Sequence, residues 1–209
     1  RESGKVSAVC KGARSTKSDK KSLLQPFQPL SVSLHGRHEL KNLGAMESTG
    51  SMYSLTGEAM FSALYLNEIL NRCLPVEVAS EDIYDLYLAT LVRLAQQQPI
   101  EPVLREFEIS LLAGLGYGID WQHDWQTAEE IQPDAYYTFV ALHGFQRTIK
   151  SGQSKNCFPG SELLAIGQMN WDRASLSGAK RIMRMALLPI LGDKPLKSRE
   201  LFLHVEQFK

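Results

Sequence analysis

The chain has few cysteines and no long apolar run. Its 209 residues include three cysteines, Cys10, Cys73 and Cys157, and none belongs to a Cys-x-x-Cys pair. One chain therefore offers neither a disulfide framework nor the four cysteines of a thiolate zinc site, and a reducing compartment is expected. No stretch approaches the ~18 to 20 apolar residues of a membrane-spanning helix, and residues 1–5 (RESGK) do not resemble a signal peptide. The sequence predicts a cytoplasmic protein.

The common catalytic motifs are also missing. The sequence has no Gly-x-Ser-x-Gly elbow, no Walker phosphate loop and no His-Glu-x-x-His helix. Ser-x-x-Lys spacings occur at 18–21 and 177–180 without the partner motifs of that chemistry, so they predict solvated basic residues. No enzymatic activity, cofactor or bound metal is therefore predicted. The possible metal ligands of the central segment have no familiar spacing: His123, Asp124, His143 and Cys157.

Positive charge is not in excess, but it is unevenly placed. Lysine plus arginine and aspartate plus glutamate each total 23, so the net charge of zero gives no sign of a nucleic-acid partner. Basic residues gather at 5–21 and 180–199, whereas acidic residues concentrate between 58 and 130. Each basic cluster is either a solvated surface or a polyanion site, since phosphates need cations and N–H donors rather than a shaped pocket. The candidate phosphate contacts are Lys5, Lys11, Arg14, Lys17, Lys20, Lys21, Lys180, Arg181, Arg184, Lys194, Lys197 and Arg199.

The first 50 residues show the apolar alternation of β-strands. Strands are expected over 5–10 and 30–34, with a further strand over 40–46. A basic loop that contains glycine and serine, residues 11–22, joins the first two strands. Small barrels commonly hold single-stranded nucleic acid with loops in such a position.

From Gly57 onward the apolar period lengthens to that of α-helices. Pro189 is expected to end or kink the helix that contains it. Residues 120–169 lose the helical period and are interpreted as an irregular insertion, either a small β excursion or a long surface insertion. Helices are expected over 58–73, 82–97, 99–116 and 173–188, with a last helix after Ser198.

Several segments in the same order resemble the bacterial RecO family. The first is the strand and loop at 3–6 (SGKV) and 9–15 (VCKGARS), and the most specific is 194–202 (KPLKSRELF). The segments that resemble the family are spread over nearly the whole chain except the insertion. The remaining segments are 24–27 (LQPF), 63–70 (ALYLNEIL), 101–108 (EPVLREFE) and 115–118 (LGYG).

The resemblance implies an α+β protein with two domains. An N-terminal OB-fold β-barrel would occupy residues 1–50, and a mainly α-helical domain would occupy residues 57–209, including the 120–169 insertion. It further implies a nucleoid-associated mediator of DNA repair and homologous recombination that binds single- and double-stranded DNA and anneals complementary strands. Its implied partners are the C-terminal tail of single-strand-binding protein, RecR and, indirectly, RecA. Annealing makes no covalent bond, which agrees with the missing catalytic motifs.

Two departures from the family pattern change these expectations. Many relatives carry a four-cysteine zinc module in the insertion, whereas this chain has only Cys157 there, so no zinc is predicted. The family's OB fold has completed about two of its strands before the point at which this chain starts, so we expect a barrel that lacks its first strands.

The resemblance also implies a site for the acidic tail peptide on the helical domain. The terminal phenylalanine of that peptide needs an apolar slot, and its free carboxylate needs a cation. Arg105 suits the carboxylate because guanidinium grips it through two hydrogen bonds, with Leu104 and Glu108 as neighbouring contacts. The alternative is that Arg105 pairs with Glu101 or Glu108 and only decorates the helix surface.

Two functions from other classes remain open. The helical domain could serve as a peptide-binding adaptor while the N-terminal domain contributes no DNA affinity. An RNA-binding OB protein is less favoured, because it would present stacking aromatic residues and the first strands offer only Phe27. A hydrolase is the least favoured.

Overall fold

The chain folds as an α+β protein in which strands precede a mainly helical part. A computed structural model describes residues 2–13, 20–149 and 156–198. The α+β class is confirmed. The described elements are β1 (Ser7–Val9), α1 (Lys20–Leu23), β2 (Leu30–His35), β3 (Leu40–Ser48), α2 (Gly57–Cys73), α3 (Glu81–Ala95), α4 (Ile100–Gly114), β4 (Tyr136–Val140), β5 (Gly144–Thr148), β6 (Cys157–Pro159), α5 (Gly160–Gly167) and α6 (Arg173–Leu191).

The N-terminal strands form one sheet in the order β1-β3-β2. β1 runs parallel to β3, and β2 runs antiparallel to β3 with an irregularity between Val32 and Leu34. At this irregularity the Ser33 hydroxyl accepts a hydrogen bond from the Ala45 N–H at 2.7 Å, and a Cβ on Gly44 would collide with the Ser33 side chain. None of the strand residues is fully buried. The three strands do not close on themselves within the described residues, so the OB barrel stays a prediction.

The helical part is built around α4. Val103, Phe107 and Leu111 recur every four residues along it and are at most 1% exposed, which places one apolar face at the centre of the core. Pro102 lies in the first turn of the helix. N–H groups in the first turn have no acceptor within the helix, so proline costs no hydrogen bond there. The predicted starts and ends of α2, α3 and α4 agree with the structure to within about two residues, the usual uncertainty of helix ends.

The longest described helix, α6, contains a proline near its end. It begins with a capping box, because the Asp172 carboxylate accepts from the Ser175 N–H at 2.7 Å and the Ser175 hydroxyl accepts from the Asp172 N–H at 2.8 Å. Pro189 lies inside the helix, which ends two residues later at Leu191. The expected helix after Ser198 lies outside the described residues.

The described part of the segment expected to be irregular, residues 120–149 and 156–169, contains regular strands and a helix and is called the module below. β4 pairs antiparallel with β5 and β6, and α5 packs against α6. For the described residues of 120–169 the interpretation as an irregular insertion was therefore wrong, and the alternative of a β excursion corresponds to β4 and β5. The error has a physical reason, since the strands are only three to five residues long and the helix is eight. The module buries a set of aromatic rings: Trp121, Tyr137, Phe139, Phe145 and Phe158.

One carboxylate organises this module from within. Asp124 is 4% exposed and accepts backbone N–H groups from Gln126 at 2.8 Å, Thr127 at 3.1 Å and Arg147 at 2.6 Å. Burial alone would raise the pKa of Asp124, but the three N–H groups outweigh it and hold the pKa below its usual value. The charge thus ties the loop before β4 to strand β5.

We expect Asp124→Asn to lower the free energy of unfolding at pH 7 by about 1 to 3 kcal/mol, because the new amide N–H group would face the Arg147 N–H. Because the pKa of Asp124 is lower in the folded than in the unfolded chain, wild type is more stable than the variant above the unfolded pKa of ~3.9. This difference in stability is lost as the pH falls through the lower pKa of the folded state. Urea unfolding from pH 7 to pH 3 measures this. Asp134→Asn, at an exposed position, is the control, and equal stability of Asp124→Asn and wild type at pH 7 would contradict the assignment.

Candidate nucleic-acid and partner-peptide interface

The basic N-terminal loop is described in part. Lys11 and Lys21 are exposed, and the Lys20 ammonium donates to the carbonyl of Lys11 at 3.4 Å. The structure therefore brings these three lysines to one region beside the N-terminal sheet. Arg14 and Lys17 lie outside the described residues.

Lys5 is placed differently from the rest of its cluster. Its ammonium donates to the carbonyl of Asn71 at 2.8 Å, in the last turn of α2, and its own carbonyl accepts from the Glu77 N–H at 2.9 Å. A cation at a helix C-terminus interacts favourably with the helix dipole. Lys5 thus joins the N-terminal segment to the helical part and is less available to phosphate than its exposed neighbours.

The exposed face of α6 carries a line of cations. Arg173, Lys180 and Arg184 are all exposed, while Ile182 and Met183 on the opposite face are at most 1% exposed. At 1.5 Å per residue the line extends about 17 Å. Lys180 pairs weakly with Glu101, with Nζ and Oε1 3.5 Å apart. The sequence prediction missed Arg173, although its spacing of seven residues from Lys180 would have placed it on the same face.

Arg181 lies against the module instead, with its side chain 39% exposed. Its guanidinium lies 4.5 Å from the centre of the Phe158 ring and 3.5 Å from Glu162 Oε1. Burial raises the pKa of Glu162 even though Arg181 acts to lower it. A Cβ on Gly178 would overlap the Glu162 carboxylate, so a larger residue there would displace that side chain from its place beside Arg181. Arg181 therefore connects α6 to the module.

The third group of predicted cations follows α6. Lys194 and Lys197 are exposed, and Leu196 between them is 5% exposed. Arg199 lies outside the described residues.

The candidate residues for a peptide carboxylate are close together on α4. Arg105 Nη2 lies 2.8 Å from Glu108 Oε1, and the Tyr65 hydroxyl donates to the same oxygen at 2.6 Å. Glu108 is 0% exposed, whereas Arg105 and Leu104 each retain 8% exposure. The predicted pairing of Arg105 with Glu108 is confirmed, but the pair is buried and does not decorate the surface. Since Glu108 is not exposed, its effect on a ligand would be indirect, for example through the position of Arg105.

The described residues also form an open, mainly apolar pocket of about 260 Å³ between the N-terminal segment and the helices. It is not adjacent to Arg105, so it does not supply the predicted slot. Its lining includes Lys5, Leu70, Leu74, Ile83, Tyr84 and Tyr87.

The possible metal ligands of the module have other partners. His123 Nδ1 lies 2.9 Å from Asp120 Oδ2, Asp124 holds backbone N–H groups, and His143 stacks on Trp125. Across the described ranges no three histidine, cysteine or acidic side chains are grouped to hold a metal. In the same part of the chain, no helix is both long and apolar enough to cross a membrane.

Two family descriptions match the chain. Residues 1–52 match "Recombination protein O N terminal", and residues 54–200 match "Recombination protein O C terminal". The boundary between the two matches falls between β3 and α2, where the strands give way to helices. The matches define a protein of the recombination-mediator class.

Individual relatives agree with this class. A protein named DNA repair protein RecO from Pseudoalteromonas atlantica is 51% identical over 203 residues, which cover 96% of this chain and 83% of the relative. Proteins of the same name from Pseudomonas putida and Vibrio cholerae are 45% and 42% identical, with 86% and 83% of their lengths covered. The chain belongs to the RecO family of DNA repair and recombination proteins, which confirms the resemblance seen in its motifs.

The buried Tyr65–Glu108 hydrogen bond should contribute measurably to stability. We expect Tyr65→Phe to lower the free energy of unfolding by about 1.5 to 3 kcal/mol, because the lost bond has a charged acceptor in the core. Tyr84→Phe removes a half-buried hydroxyl from α3 and serves as the matched control. Urea unfolding of both variants tests the expectation, and equal losses would show that the hydroxyl of Tyr65 has no special role.

Proposed function

We propose that this chain binds single- and double-stranded DNA through the phosphate backbone and anneals complementary strands. The observation that carries the proposal is the exposed cationic face of α6, in a member of a family of recombination mediators. Its length of about 17 Å spans several phosphates, since each strand of B-DNA carries one phosphate about every 3.4 Å along the helix axis. Annealing requires the neutralisation of two polyanions and their approach, for which exposed cations suffice.

The basic loop supplies a second contact region in this proposal. Lys11 and Lys21 are exposed beside the sheet, and the sequence adds Arg14 and Lys17 in the same loop. No base-reading motif accompanies them, so the contacts recognise phosphate rather than sequence. Single-strand-binding protein, RecR and, indirectly, RecA are the proposed partners, carried over from the family.

The DNA contacts can be tested by their salt dependence. We expect Lys180→Ala/Arg184→Ala to lower the log–log salt slope for a single strand by about 0.7 per lost phosphate contact, with little change in sequence preference. Arg147→Ala removes an exposed charge from β5 and should leave the slope unchanged. A wild-type slope in the double variant would remove α6 from the DNA interface.

The acidic tail of single-strand-binding protein is proposed to bind at Arg105. The guanidinium has five N–H donors, and within the described residues its only hydrogen bond is to Glu108. Lys180 reaches Glu101, one turn before Arg105 on α4, so two cations lie near the start of this helix. A C-terminal carboxylate preceded by acidic residues would meet both charges.

For this site the informative variant is Arg105→Lys, which keeps the positive charge beside Glu108 but loses the planar fork. We expect a fluorescent tail peptide to bind at least about tenfold more weakly, because two hydrogen bonds to a charged group are lost. Arg93→Lys, on α3, is the control, with thermal unfolding as a check of folding. Unchanged peptide affinity would exclude Arg105, and tail binding without any DNA affinity would favour the adaptor function instead.

A further inference from the structure

The segment that follows α6 is bound by two side chains of α2. Arg72 donates from Nη1 to the carbonyl of Lys194 at 2.6 Å and from Nη2 to the carbonyl of Pro195 at 2.8 Å. Glu68 accepts the Lys197 N–H at 3.0 Å on Oε1 and the Ser198 N–H at 2.8 Å on Oε2. The Ser198 hydroxyl adds a further bond to Oε2 at 2.7 Å.

The two α2 residues also support each other. Arg72 Nη2 lies 2.8 Å from Glu68 Oε1, one helical turn away, and the two side chains are 20% and 17% exposed. Burial alone would raise the pKa of Glu68, but the bonds from Ser198, Lys197 and Arg72 outweigh it and hold the pKa below its usual value. The carboxylate is thus charged at neutral pH, and its bonds are of the stronger, charge-assisted kind.

This binding gives residues 194–198 a defined orientation. Leu196 is 5% exposed and packs against the hydrophobic core, whereas Lys194 and Lys197 are exposed on either side of it. Neither lysine ammonium has a hydrogen bond or ion pair within the described residues. The segment therefore presents two cations from a fixed backbone.

We propose that Glu68 and Arg72 form a clamp that positions Lys194 and Lys197 for contact with a nucleic-acid backbone, although neither clamp residue touches the nucleic acid. The inference rests on the proposed DNA binding. Its physical basis is that a backbone already ordered before binding does not lose further conformational freedom on binding. If the segment were released, its two lysines would lose conformational freedom when they bind nucleic acid, and this loss would lower the affinity.

The direction in which Glu68→Gln changes DNA affinity separates the positioning role from a simple effect of charge. Glu68→Gln removes a negative charge, which by charge alone should tighten binding to a polyanion. The clamp predicts the opposite, because glutamine has only one accepting oxygen, whereas the carboxylate accepts from residue 197 on Oε1 and from residue 198 on Oε2. With fluorescent oligothymidylate as the probe, we expect at least about threefold weaker binding and a salt slope lowered by up to about 0.7 for each lysine.

Two further variants control for charge and for folding. Glu130→Gln makes the same change at an exposed position in the module and should leave binding equal or slightly tighter. Arg72→Lys keeps the net charge of the chain, but one ammonium cannot reproduce the fork that reaches Glu68 and the carbonyls of Lys194 and Pro195. It should weaken oligothymidylate binding as Glu68→Gln does.

Hydrogen–deuterium exchange reports on the clamp independently of DNA. In Glu68→Gln, exchange at the amides of Lys197 and Ser198 should quicken by about tenfold or more, while the amides of α4 keep wild-type protection. Unchanged exchange would overturn the clamp. Faster exchange with equal or tighter oligothymidylate binding would overturn its positioning role. If wild type bound no oligothymidylate, the proposed function and the positioning role would both fail, whereas exchange would still decide whether the clamp exists.

Discussion

Burial of α4 is the constraint on which the rest of the molecule depends. Its apolar residues include Phe107 and Leu111 at 0% exposure, and α2, α3 and α6 all pack against it. Between Val103 and Leu112 this helix has little solvated surface on which to leave an unpaired charge, although Glu101 in its first turn is exposed. Charged groups on the buried part of the helix therefore need partners within the fold. Arg105 and Glu108 pair with each other, and the Tyr65 hydroxyl bonds to the same carboxylate.

The sequence predicted those parts of the fold whose pattern is long enough to be periodic. α4 has five buried apolar residues at helical spacing, whereas the strands of the module have three to five residues each and depend on pairing with partners distant in sequence. The Asp124 interactions illustrate the limit. Nothing local in the sequence shows that its carboxylate will accept the N–H of Arg147, which is 23 residues away.

The sequence predicted which cations could belong to the candidate site, but not which of them are exposed together on one surface. The sequence treats Lys5, Arg181 and Arg184 alike, and only packing shows that the first binds a helix end and the second an aromatic ring. Arg105 is a comparable case, since both partners considered for it were plausible by spacing and the structure pairs Glu101 with Lys180 instead. Tertiary structure thus decides which cations are already engaged and which remain exposed.

The same reasoning explains how a chain of zero net charge can present a cationic surface. Glu68, Glu108, Asp124, Asp172 and Glu162 all direct their carboxylates to backbone N–H groups or to side chains of the fold. These carboxylates are engaged by groups of the fold, whereas Lys11, Lys21, Arg173, Arg184, Lys194 and Lys197 are exposed. Acidic residues such as Glu81, Asp82, Glu129 and Glu130 are exposed too, but they lie on other segments. Because salt ions screen a field within about 8 Å at physiological ionic strength, a phosphate chain responds to these nearby cations rather than to the total charge. The net charge of this chain is therefore a poor indicator of its affinity for a phosphate chain, and the placement of its charged residues is a better one.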